Sequence, residues 1–184
     1  MTLMKRYDLN PAPGMTPVIG LLHATIDYNY RRLLRLVQGT EDLIDYKGTD
    51  ADLNSIAQLL RHMAVVDMHW AYRLQSREVP GEVLQKFGPM YDEEGKLPAV
   101  KDVPLQILLA EYDDVQRQLK QVCARLVDSD LEKTVPFENG NTASIRWAIW
   151  HIADHSRHHY ANIAHLKKVH ASHSIHHNGR REAK

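Results

Sequence analysis

The chain has 184 residues, in which 23 Lys and Arg balance 23 Asp and Glu, and a single cysteine. That length suits one domain with a core that needs no staples. The zero net charge argues against the one-sided basic surface of a nucleic-acid or anionic-membrane binder. Cys123 excludes an internal disulfide; within a helical pattern it reads as a small buried apolar residue, at home in a reducing cytoplasm. No run approaches the ~20 apolar residues of a membrane span, and the N-terminus has no signal-peptide pattern, so a cytoplasmic protein is expected.

After a Pro-rich leader (Pro11, Pro13, Pro17), Ile19, Leu22, Ile26, Tyr30, Leu33, Leu34 and Val37 recur at spacings of three and four. They predict an amphipathic helix over residues 18–38, stopped by Gly39. Asn54 reads as the N-cap of a second helix, whose apolar residues run from Ile56 through Leu59, Leu60, Met63, Val66 and Trp70 to Leu74. A third is expected over 105–126, and a fourth after a cap at Asn141 or Thr142, with Ile145, Ile149, Ile152, Ile163 and Leu166 on its apolar side. No stretch alternates with a period of two, so little or no sheet is expected. Between the second and third helices lies a connection from Gln75 to Pro104 that is rich in Pro and Gly. Such a length is uncommon in a compact domain unless the segment has a role; it either borders the mouth of the functional site or is a crossover packed against the far end of the bundle. The fold class is therefore all-α, a four-helix bundle with a long crossover between helices two and three. Residues 1–169 form the single domain, and 170–184 a polar, His-rich, flexible tail.

Histidine is the residue that stands out, with 12 in the chain. On the fourth helix His155 and His159 are four apart and project from one face, close enough to bind one ion; His151 continues that stripe and His158 flanks it. On the second helix His62 is embedded among core-type residues, and His69 shares its face. Taken alone, His62 reads as a hydrogen-bonded core residue; opposite a His-x-x-x-His pair it reads as a ligand. Three neutral imidazoles with an open fourth position are a ligand set of catalytic zinc, although imidazole also suits nickel, iron and copper. Asp67, His69, Asp154 and His158 are candidates for partners behind the ligating rings. Trp70, Trp147 and Trp150 read as core, and His23 as structural. Glu-x-x-His pairs, His-Glu-x-x-His, Gly-x-Ser-x-Gly and a phosphate loop are all absent from the sequence.

Two motifs carry a family resemblance. Ser55-Ile56-Ala57-Gln58-Leu59-Leu60-Arg61-His62-Met63-Ala64 is similar to the second-helix motif of the DinB/YfiT-like metalloenzymes. Trp147, His151, His155, His158 and His159 reproduce the Trp-x-x-x-His-x-x-x-His-x-x-His-His pattern of that family's last helix. The resemblance implies that His62, His155 and His159 are the metal ligands, for zinc, nickel or iron. It also implies a bundle with an unusual helix order and a homodimer. The activity it implies is transfer or activation of a low-molecular-weight thiol, with that thiol and an electrophile as small-molecule partners and with neither nucleic acid nor membrane as a partner. A metal-dependent hydrolase, and a non-catalytic metal-binding or stress-related interaction protein, remain as alternatives. This chain departs from the family at Ser156, where many members have Glu, and at Tyr160-Ala161, where they have Arg-Gly.

Overall fold

A computed structural model describes residues 7–179 of the chain, with side chains through His173. Five helices form: α1 (Pro17–Val37), α2 (Ile56–Arg73), α3 (Gly81–Phe87), α4 (Leu105–Cys123) and α5 (Ile145–Gly179). Between α4 and α5, the three-residue strands β1 (Thr134–Pro136) and β2 (Thr142–Ser144) pair antiparallel, with Val135 opposite Ala143. The four long helices form the expected all-α bundle. The seven-residue α3 lies inside the long connection between α2 and α4.

Each helix end has a local cause. Pro17 sits at the first position of α1, where its missing N–H costs nothing. The free N–H groups of that turn are taken up from far along the chain. The carboxylate of Asp128 accepts from Val18 N (3.0 Å) and Ile19 N (3.0 Å), and from the Thr16 hydroxyl (2.6 Å). Beyond the last turn of α1, Gly39 takes φ +71°, a left-handed conformation that glycine adopts without strain. Helix α2 opens on a reciprocal capping box: Gln58 N–H donates to Ser55 Oγ (3.2 Å) while Ser55 N–H donates to Gln58 Oε1 (3.1 Å). The cap is therefore Ser55 and not Asn54. At the start of α5, Thr142 is spent on strand pairing, and Ser144 takes the capping role by accepting from Trp147 N–H (3.2 Å).

Helix α2 packs against α4 and α5, and α1 packs against α5 and α4, so the ring order is α1, α5, α2, α4. The successive helices α1 and α2 thus stand across a diagonal. Helix α2 is the most enclosed of the four, with Leu60, Met63, Val65 and Ala71 fully buried around its circumference. Two apolar clusters fill the bundle. One joins Leu59, Leu60 and Met63 to Tyr112, Ile163 and Leu166, and takes Phe87 and Leu97 from the long connection. The other joins Ile19, Trp70, Leu119, Ile149 and Ile152, and takes Val135 and Ala143 from the hairpin. The stretch of α5 between Ala153 and Ile163 lies between them, and that stretch carries the histidine pair.

Candidate metal centre

His62 is supplied by α2, and His155 and His159 by successive turns of α5. The Nε2 atom of His155 lies 3.1 Å from Nε2 of His62 and 3.0 Å from Nε2 of His159. The three ring centroids are 4.5–5.0 Å apart, with every pair of planes strongly inclined. Donor nitrogens at ~2.0–2.1 Å from a tetrahedral ion are themselves ~3.3–3.4 Å apart; the two separations at His155 are close to that, and all three ligand atoms lie within 4.8 Å of one another. The cluster could hold a metal ion, and among the described residues it contains three ligand groups and no fourth His, Cys, Asp or Glu.

Burial prepares the rings for that role. His62 and His159 keep 4% and 9% of their surface exposed, and His155 is the most open of the three. Desolvation lowers the pKa of each, to about 3 for His155 and His159, whose neighbouring imidazoles disfavour a positive charge further. The rings are therefore neutral, with lone pairs available for coordination. Neighbouring elements hold them in place. Asn29 of α1 donates to the Ala153 carbonyl (2.7 Å) and reaches the buried Ser156 hydroxyl (3.4 Å), tying α1 to the turn that carries His155. Ser156 thus serves as a helix–helix contact. At Tyr160 the ring lies under the Arg32 guanidinium at 4.6 Å.

The long connection reaches the site. Tyr91 places its ring 5.4 Å from that of His62, and the Met90 backbone lies against the same imidazole. Gln58, one turn before His62, anchors this segment by donating to the carbonyls of Leu97 (2.8 Å) and Pro98 (3.2 Å). Tyr91 is also a wall of a cavity of about 660 Å³ bounded by Lys47, Asp52, Asn54, Gln58 and Lys96. Nothing in the sequence singles out Tyr91, since the connection has no periodicity to place it.

The expected partners behind the rings are distributed differently. Asp67 is wholly buried but faces α4, where it accepts from Tyr112 Oη (2.9 Å) and Gln116 Nε2 (2.7 Å). Five residues along a helix rotate it about 140° from His62, which is why it cannot serve that ring. His69 is half-buried and Asp154 exposed, while His158 lies beside His159 with ring centroids 5.0 Å apart. The residue behind His159 is instead Asn162, whose amide is 3.4 Å from Nδ1; its i+3 spacing was the available signal. Nδ1 of His62 and of His155 are buried without a hydrogen-bond partner.

The tryptophans correct another expectation. Trp70 is core, but Trp147 and Trp150 are 36% and 48% exposed. Trp70 and the hairpin's Phe137 stack at 5.5 Å and fill the space below, leaving Trp147 to lie flat on His151 at 4.6 Å. His151 continues the stripe, 5.9 Å from His155. Cys123 is buried and its thiol is pushed up to about 12, so it is a packing residue. His23 is buried too, on α1 and apart from the cluster. His170 and His173 fall on α5, and the latter contacts the Thr49 hydroxyl at 2.9 Å. His176 and His177, also counted in the tail, lie beyond the described side chains. No described helix is long and apolar enough to cross a membrane.

Two comparisons with known proteins agree. Residues 5–163 match the family model described as the DinB superfamily. The chain is 41% identical over 163 residues to an uncharacterized protein, YkkA, of Bacillus subtilis (strain 168), an alignment covering 88% of this chain and 93% of that one.

Proposed function

From the premise that this chain belongs to the DinB superfamily, we propose that it is a metal-dependent enzyme acting on a low-molecular-weight thiol and an electrophile. His62, His155 and His159 are its ligands for a divalent zinc, nickel or iron ion. The observation that carries the reading is the convergence of three neutral imidazole nitrogens with no fourth protein ligand among the described residues. Three ligands and a vacant position are the pattern of catalytic sites, whereas structural sites close all four. When bound, the ion supplies a Lewis-acidic position that holds a thiol in its reactive, deprotonated form. The chain's own residues orient and seclude that position. Asn29 and Ser156 hold the His155 turn in register, while Tyr91 and the polar cavity beside it offer hydrogen-bonding surface on the side of His62. The reading includes a cytoplasmic homodimer; exposed Val18, Leu21 and Tyr28 on α1 and Trp150 on α5 offer apolar surface for the second copy.

The test is to load untagged protein with cobalt(II) and add thiols one at a time. A sulfur-to-cobalt charge-transfer band, followed by S-alkylation of that thiol with a model electrophile, is the expected result. Metal uptake with ester hydrolysis and no sulfur band would move the assignment to a hydrolase. Metal uptake with no response to any thiol or ester would leave a sequestering or interaction protein.

A further inference from the structure

We propose that the aromatic face where α5 meets the end of α2 is the platform for the electrophilic cosubstrate, and that this cosubstrate is an elongated, flat, apolar molecule ending in an anionic group. The inference rests on the thiol-transfer reading above and gives its second substrate a chemical class.

The stripe of ligands on α5 does not stop at the cluster. Four residues before His155 stands His151, with ring centroids 5.9 Å apart. Four before that stands Trp147, which lies on His151 at 4.6 Å with the two planes within 8° of parallel. His155 is the most open of the three ligands and His151 is half-buried, so the stripe leaves the cluster on its accessible side. Trp147 keeps 36% of its surface exposed, although so large an apolar ring gains most by burial. Phe137 of the hairpin meets it edge-on at 5.1 Å, and the buried Trp70 closes the space beneath, 5.8 Å from His151. The face so formed is about 12 Å long, the rise of eight helical residues from His155 to Trp147.

Arg73 puts a charge at the far end. It follows His62 on α2 by eleven residues, close to three turns, so the two share one side of that helix. Its guanidinium lies 5.1 Å from the centre of the Trp70 ring and 6.0 Å from that of Phe137. Aromatic rings hold a guanidinium by its face and leave its N–H edge for a planar anion. That edge is unused: among the described residues Arg73 makes neither a hydrogen bond nor an ion pair, and the exposed Glu138 acts on it only at longer range. Burial lowers its pKa, so water solvates it poorly, yet a guanidinium stays charged at neutral pH. A cation in that condition gains from an incoming carboxylate. Rings along the face and a cation at its end select one kind of molecule, with its anion on Arg73 and its reactive end towards His155.

The experiment titrates cobalt(II)-loaded protein by ¹⁹F NMR with 4′-(trifluoromethyl)biphenyl-4-carboxylate and, separately, with the matching uncharged carbinol. Circular dichroism checks that each variant is folded. Wild type is expected to bind the carboxylate at least about tenfold more tightly than the carbinol. Arg73→Gln should bring that preference within twofold and leave carbinol affinity unchanged, while Arg73→Lys, which keeps the charge, should retain more than twofold. Trp147→Ala should weaken both probes several-fold, and no variant should change cobalt affinity. Cobalt should broaden the trifluoromethyl signal of the bound carboxylate, and zinc should not, because that end lies towards the ion. The proposal is overturned if wild type binds the two probes equally, if Arg73→Gln weakens both alike, as a mere packing residue would, or if cobalt leaves the bound signal sharp. Probes that bind as expected to a protein that alkylates no thiol would instead remove the thiol-transfer reading and leave the platform standing.

Discussion

Helix α2 presents an ionisable side chain on each of two buried faces, and the two are treated in opposite ways. Towards α5, His62 meets two more imidazoles whose nitrogens point at one another, with no anion or carbonyl inserted between them. Towards α4, Asp67 meets a tyrosine hydroxyl and a glutamine amide, both donating to the same oxygen, while its other oxygen has no partner. Desolvation neutralises both sites: it lowers the imidazoles and raises Asp67 to about 7. One seam is a set of acceptors awaiting a cation, and the other an acid held among donors. Burial alone therefore does not mark a functional site. What marks it is which hydrogen-bonding capacity is left over, and whether several such groups converge.

Removing a ligand separates the two faces of α2 most decisively. His155→Ala is expected to lose cobalt affinity by at least about 100-fold, while circular dichroism still shows a folded bundle, because two apolar clusters hold the helices without the ion. Unfolding of that variant would make the ion structural. On the other face, Asp67→Ala strands the Tyr112 hydroxyl and the Gln116 amide and should cost about 2–3 kcal/mol in urea denaturation. Asp67→Asn keeps an acceptor in place and should cost no more than about 1 kcal/mol. Neither change should touch metal affinity, and a large effect there would merge the two seams into one network.

Acidity sharpens the contrast. Burial raises the pKa of Asp67 to about 7, above the 3.8 of a hydrated carboxyl, so its contribution to stability is fully present below about pH 4 and is lost as pH rises to 7. The imidazoles run the other way. Their folded values lie below 6.5, so their contribution is present above that pH and is lost as pH falls towards 3. In the metal-free protein, Asp67→Asn should abolish the loss between pH 4 and 7 and leave the acid-side loss of the histidines unchanged. A profile of denaturation midpoint against pH that is identical in both proteins would refute the assignment. The smallest effect is expected at the rim: Tyr91→Ala should change thiol affinity several-fold with metal content unaltered.

Much of this was legible in the sequence, and for identifiable reasons. Spacing of four placed His155 and His159 on one face, and apolar periodicity found all four long helices, since both follow from helix geometry alone. For Asp67 the residue type leaves a ring partner and a packing residue equally open, whereas its spacing of five from His62 already turns it about 140° away, towards α4. Residue type alone places Trp147 and Trp150 in the core, yet Trp70 and Phe137 fill that space. Tyr91 was out of reach because it depends on how an aperiodic connection is pinned by Gln58, a long-range contact with no local signature.

The Asp128 clamp on the first turn of α1 has a consequence for the order of assembly. The backbone amides of Val18 and Ile19 find their acceptor about 110 residues further along the chain. On a ribosome, α1 emerges long before its cap exists, and its opening turn must remain hydrated and frayed until α4 and the short turn after it, which carries Asp128, have been made. Closing so large a loop is entropically expensive, so this contact is a late event that follows packing of the other helices. The beginning of the chain is thus secured near the end of folding.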